Sequence, residues 1–149
     1  GIRVDLDART SVPGIYAVGD CTRRPLPLYG ADLRLESVPN ALEQAKQAAA
    51  AIVGRSAPAP EVPWFWSDQY DLKLQIAGVG LNADQIVVRG EPDAERFAVF
   101  QLSGGKLVCV EAVNSPAEFM GGKQLIGKGV PVDADRLADP TVPMKALMA

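Results

Sequence analysis

The sequence predicts an α+β fold in two parts, an incomplete α/β segment followed by an antiparallel sheet with covering helices. Three observations carry this expectation. Residues 1–56 hold two short apolar runs and one well-punctuated helix, which leave one sheet face and both edges open. A stretch with three prolines, Pro58, Pro60 and Pro63, then interrupts every periodicity. Beyond it β-type alternation recurs around one Gly-Gly turn, and a helical pattern follows. The implied organisation is residues 1–56 as one segment, 57–63 as linker and 64–149 as a domain able to fold by itself.

Taken in order, Ile2 to Leu6 alternates apolar and polar residues, and Ile15 to Val18 is a short apolar run after Pro13-Gly14, so both read as strands. The second ends at Gly19-Asp20, and a loop rich in proline and arginine follows. Ser37, Pro39 and Gly54 punctuate a helix over Asn40 to Val53, with serine as N-cap, proline in the first turn and glycine after the end. In the second part Leu72 to Ile76, Gln85 to Arg89, Phe97 to Leu102 and Leu107 to Val113 give three or four antiparallel strands, the last two joined through Ser103-Gly104-Gly105-Lys106. Ala117 to Ile126 has the apolar spacing of a helix laid over that sheet, weakened by Gly121-Gly122. Asp133 to Ala138 reads as a short second helix.

The 149 residues are 48% apolar and 22% charged, enough to bury a core. Histidine is absent, which removes Ser-His-Asp and Cys-His nucleophiles and most zinc sites. Chemistry here must come from a cofactor or a partner. A net charge of −3 argues against general nucleic-acid or anionic-membrane binding. No apolar stretch is long enough for a signal or a membrane span, so the expected location is the cytoplasm. Cys21 and Cys109 are too far apart in sequence for a CxxC pair and are read as reduced thiols.

The run Thr10-Ser11-Val12-Pro13-Gly14-Ile15-Tyr16-Ala17-Val18-Gly19-Asp20 resembles the second FAD fingerprint of the two-dinucleotide-domain flavoprotein reductases, where a strand ends in Gly-Asp. By itself Gly-Asp after a strand is a common turn. The resemblance implies that Gly19 lets the backbone approach the cofactor and that the Asp20 carboxylate accepts hydrogen bonds from ribityl hydroxyls.

Arg34-Leu35-Glu36-Ser37-Val38-Pro39-Asn40-Ala41-Leu42-Glu43-Gln44-Ala45 is similar to the segment after that fingerprint in putidaredoxin, rubredoxin and dioxygenase ferredoxin reductases. There the helix aims its amino end at the flavin pyrimidine edge. The resemblance therefore assigns Ser37 and the Val38 N–H to the cofactor site. A helix end stabilises nearby negative charge by about 0.3–2 kcal/mol. An ordinary capped surface helix accounts for Ser37 and Pro39 as well.

Pro63-Trp64-Phe65-Trp66-Ser67-Asp68-Gln69-Tyr70-Asp71-Leu72 resembles the start of the carboxy-terminal domain of the same family. Taken bare, Trp-Phe-Trp reads as core packing. In the family's frame Trp66 lies beside the isoalloxazine and Trp64 packs. Asp68 reads either as an acid or base or as a turn carboxylate, and hydride transfer to flavin needs neither.

The resemblance implies a remnant of an FAD-binding α/β domain in residues 1–56 and a dimerisation or ferredoxin-docking domain in 64–149. The parent would carry electrons from NAD(P)H through FAD to a [2Fe-2S] ferredoxin. Neither GxGxxG loop of such a reductase is present, so Gly1 is expected to begin inside the FAD domain, with the missing amino-terminal part of the reductase as a partner and the isolated chain inactive. Lys46, Lys123 and Lys145 are candidate docking residues for an acidic ferredoxin, and each also reads as a solvated lysine. Arg23-Arg24 reads as joining them or as decorating a loop. Open strands imply self-association into a homo-oligomer. Two alternatives stand beside this: a non-catalytic dimerisation or docking module, and a related flavoprotein reductase with a different electron acceptor.

Overall fold

Strand pairing in the first sixty residues is short because the apolar runs are short. The computed structural model describes residues 1–148, which fall into two units, Gly1–Pro63 and Trp64 onward. In the first, β1 (Ile2–Arg3) runs parallel to β2 (Thr22–Leu26), which pairs antiparallel with β3 (Ala31–Leu33). β1 reaches only Thr22 and Arg23, so Pro25 lies past its end, where a missing N–H breaks no ladder on that side.

The expected strand at Ile15 to Val18 is not formed. Tyr16 makes one isolated bridge with Arg9, Ala17 N–H donates to the Ala8 carbonyl, and the chain then enters a 3-10 turn at Gly19–Cys21. No neighbouring strand is long enough to extend that bridge into a ladder. The strand lies instead at Thr22–Leu26, in the segment expected as a loop. Its alternation turns Thr22, Arg24 and Leu26 inward.

α1 spans Val38–Ile52, with the Ser37 hydroxyl accepting the Asn40 N–H at 3.3 Å. It starts two residues earlier than its apolar pattern implied, because Pro39 fits the unbonded first turn. Its buried stripe is Asn40, Gln44, Gln47 and Ala48, while Val38, Leu42, Ile52 and Val53 are exposed. An amide stripe facing inward inverts the usual amphipathic rule.

The second unit is a five-stranded antiparallel sheet in the order β4-β5-β8-β7-β6. Its strands are β4 (Trp64–Gln69), β5 (Leu72–Gly78), β6 (Gln85–Glu91), β7 (Arg96–Ser103) and β8 (Lys106–Val113). β4 is the strand the sequence pattern left unassigned, since three aromatics followed by polar residues give no clean alternation. Gly104 and Gly105 take φ of +55° and +75° in the β7–β8 turn, the twist a two-residue hairpin requires.

α2 (Pro116–Lys128) packs on β8 and β5, and α3 (Ala134–Ala138) on β6. Small residues opposite one another, Ala77, Val110, Ala98 and Ala112, make the floor beneath α2. Phe100, Leu102, Phe119, Leu125 and Ile126 fill the layer between. A last turn at Met144–Leu147 closes over α2 with Met144 and Leu147 buried. No helix among the described residues is long and apolar enough to cross a membrane.

Candidate functional site

In the first unit, the turn at Gly19–Cys21 lies against α1. Gly19 has φ of +81°, a conformation that side chains with a Cβ rarely adopt. Its N–H donates to Gln44 Oε1 at 2.8 Å, and the Thr22 hydroxyl lies 2.8 Å from its carbonyl. Asp20, next along, is exposed, and its carboxylate makes no hydrogen bond or ion pair among the described residues. It is an acceptor free to take donors from a ligand.

The amino end of α1 leaves one donor open. Pro39 has no N–H, the Asn40 N–H is taken by Ser37 Oγ, and the Ala41 N–H by the Ser37 carbonyl. The Val38 N–H has no acceptor among the described residues. Gly19, Asp20, Ser37 and Val38 thus share one unit, with an acceptor on a turn and a donor at a helix end. Lys46 is exposed on α1.

Arg24 is not a loop or docking residue. It is 2% exposed, donates from Nη1 to Asn40 Oδ1 at 3.1 Å, and sets Nη2 2.7 Å from Glu43 Oε1. That ion pair lacks hydrogen-bond alignment, and Arg24 Nε and Gln44 Nε2 have no acceptor. The sequence gives Arg24 only as a docking or loop residue and Asn40 and Gln44 only as part of the helix, with no sign that the three are buried. The alternation through Thr22 and Leu26, and the recurrence of amides at 40, 44 and 47, were the available signals.

Trp66 stands on the second unit. Its ring stacks on Trp64 with centroids 5.3 Å apart and planes at 29°, and Trp64 leans on Phe119 at 6.0 Å. Lys123 Nζ lies 5.2 Å from the centroid of the Trp64 ring, so this lysine is engaged in a cation–π contact rather than merely solvated. Lys145 is exposed in the last turn. Trp66, Asp68, Lys73, Gln75 and Arg96 line a groove of about 720 Å³ beside the start of α2. Asp68 is exposed there and has no hydrogen-bond partner among the described residues.

Cys109 lacks the surroundings of a nucleophile. Burial pushes Cys109 up to about 12, with the Glu111 carboxylate adding to the effect. Cys21 is exposed, with Sγ 3.4 Å from the Val18 carbonyl. No group of three or more metal-ligating side chains occurs among the described residues.

Residues 64–148 match the family model described as reductase C-terminal, and residues 1–45 match that of pyridine nucleotide-disulphide oxidoreductases. The chain is 54% identical over 148 residues to a probable ferredoxin reductase, CtmF, of Castellaniella defragrans, a match that covers 99% of this chain and 36% of the relative. It is 44% identical to putidaredoxin reductase CamA of Pseudomonas putida, across 100% of this chain and 35% of the relative. Among solved structures, the covalent putidaredoxin reductase–putidaredoxin complex contains a chain that is similar at a TM-score of 0.93 and 43% identity, covering 99% of this chain and 36% of that one. The protein described here thus spans about a third of the length of the relatives it matches.

Proposed function

The chain belongs to the reductase C-terminal family through residues 64–148, and on that premise we propose that it is the carboxy-terminal portion of a flavoprotein reductase that passes electrons from NAD(P)H through FAD to a [2Fe-2S] ferredoxin. The observation that carries this reading is likeness along 99% of the chain, both units in the same order, to putidaredoxin reductase. Bound FAD would supply the chemistry, taking a hydride and releasing electrons one at a time.

The residues present fit that group. An unpaired carboxylate at Asp20 suits a polyhydroxyl chain, and the open Val38 N–H suits an electron-rich ring edge. Gly19 keeps side-chain bulk away from the approach and Ser37 fixes the helix end. Trp66, on the second unit, is assigned to the cofactor by the family resemblance alone, as a residue that would shield the ring without moving protons. The exposed apolar stripe of Val38, Leu42 and Ile52 agrees with a larger body packing on α1. The phosphate- and nicotinamide-binding loops of such a reductase are not among these 149 residues and would come from the rest of it, without which the chain would be inactive. Lys46, Lys123 and Lys145 would meet the acidic ferredoxin.

Two titrations test this. Millimolar FAD should shift the amide resonances of Gly19, Asp20 and Val38 in the folded chain; unmoved resonances would remove the flavin assignment. A [2Fe-2S] ferredoxin at low salt should quench Trp64 and Trp66 emission, less so after charge reversal at Lys145. Quenching indifferent to salt and to that substitution would count against electrostatic docking.

A further inference from the structure

We infer that Gln44 is a positioning residue, one that pins the Gly19-Asp20 turn to α1 and so fixes where the Asp20 carboxylate stands relative to the open Val38 N–H. The inference rests on the reading that these two groups face one flavin.

Gln44 is 1% exposed, in the middle of the inward stripe of α1. Its Oε1 accepts the Gly19 N–H at 2.8 Å and lies 3.0 Å from Thr22 Oγ1 and 3.3 Å from Asn40 Nδ2. The Thr22 hydroxyl has a single hydrogen and a nearer acceptor in the Gly19 carbonyl at 2.8 Å. Both ends of Gly19 are therefore held, its N–H by Gln44 and its carbonyl by Thr22.

Packing does not explain an amide at this position. Gln44 Nε2 is buried without an acceptor, a cost that a hydrocarbon of the same volume would avoid. What an apolar residue cannot supply is an acceptor for the Gly19 N–H, which points at α1. Asn40 extends the tie, donating to Gln44 Oε1 and to the Leu35 carbonyl at 2.9 Å, so the chain leading into α1 is held by the same group of amides. Gln44 and Val38 lie on one rigid helix, less than two turns apart, and a pin at one therefore sets a fixed separation from the other. Because the Asp20 carboxylate has no partner of its own among the described residues, its place follows the backbone of the turn that Gln44 and Thr22 hold.

The test compares Gln44→Met, which keeps volume and loses the acceptor, with Gln44→Glu, which keeps an acceptor and adds one where Nε2 stood. Amide exchange at Gly19, measured without flavin, reads the pin; FAD affinity by flavin fluorescence reads positioning; exchange at Ala48 controls for the fold of α1. Gln44→Met should speed Gly19 exchange and weaken FAD by about tenfold each, and Gln44→Glu should restore both. If Gln44→Met unfolds the chain, Thr22→Val removes the hydroxyl from the Gly19 carbonyl, leaving only the Thr22 N–H on it, and should act in the same direction more weakly.

Unchanged Gly19 exchange overturns the pin. Faster exchange with undiminished FAD affinity overturns the positioning role while leaving the flavin reading intact. An unsubstituted chain that ignores FAD while Gly19 stays protected sinks the flavin reading, and the positioning role with it.

Discussion

Gly122 meets Val110 so closely that a Cβ on the glycine would stand 2.6 Å from Val110 Cγ1, with Val110 itself fully buried in β8. The neighbouring Gly121 faces Met144 in the same way, its Cβ position being 2.7 Å from Met144 Cβ. The two glycines that weaken α2 as a helix are what let it lie between the sheet and the last turn.

Gly122→Ala should therefore destabilise the second unit. Ala gains about 1 kcal/mol of helix propensity, but overpacking against a branched side chain costs about 1–3 kcal/mol. Chemical denaturation should show a net loss, and Gly122→Ala combined with Val110→Ala should recover part of it. Additive losses would mean the contact is not where the cost arises.

Arg89 ties the carboxy-terminal segment to β6. It is 5% exposed and donates to the carbonyls of Asp139 at 2.6 Å and Val142 at 2.8 Å, with longer contacts to Leu137 and Pro140, and it pairs with Glu118 at 3.3 Å. No other side chain offers five donors in a plane. Arg89→Lys and Arg89→Met should each cost about 3 kcal/mol and speed amide exchange in residues 137–142, more in the methionine variant. Unchanged exchange there would show that the segment holds without the clamp.

Cys109 should make the fold sensitive to alkali. Its thiol is pushed up to about 12 from 9, so between those values the unfolded chain gives up a proton that the folded chain keeps. Stability contributed by the neutral buried thiol is whole below pH 9 and drains away as pH rises toward 12, by at most about 4 kcal/mol. Cys109→Ala should lose about 1–2 kcal/mol at neutral pH from the cavity and show a flatter decline above pH 9. A thiol reagent should label Cys21 in the folded chain and Cys109 only after denaturation.

Ser37→Ala removes the cap of the Asn40 N–H and should cost about 1 kcal/mol of stability. Ser37→Asp should retain the cap while placing a negative charge beside the Val38 N–H. If an electron-rich ring edge faces that amide, the aspartate variant should bind FAD more weakly than the alanine variant despite being the more stable. The reverse order would place the flavin elsewhere.

Elements announced by local chemistry were legible in the residues. Ser37 and Pro39 mark the start of α1 whatever surrounds it, and Gly104-Gly105 bends the chain between β7 and β8 because few other pairs adopt those angles. β4 and β2 were not legible. Trp64–Gln69 has no alternation of its own and is a strand because β5 pairs with it, while Thr22–Leu26 carries a proline and two arginines that argue against a strand. Of the candidate site, the Gly-Asp end and the capped helix could be picked out by resemblance. The network joining them could not, since Arg24, Asn40 and Gln44 have ordinary surface chemistry until burial turns them toward one another and toward Glu43 and the Gly19 turn.

The sequence by itself determined where helices are capped, where the hairpin turns, which families the chain resembles, and that none of these 149 residues is a histidine. Those follow from neighbours in the chain and from composition. Tertiary structure alone decided that Gln44 faces the Gly19 N–H, that Arg89 gathers four carbonyls from residues 137–142, and that Gly121 and Gly122 admit a sheet and a turn rather than ending a helix. Each depends on groups tens of positions apart reaching within about 3 Å of one another, a proximity that no local periodicity encodes.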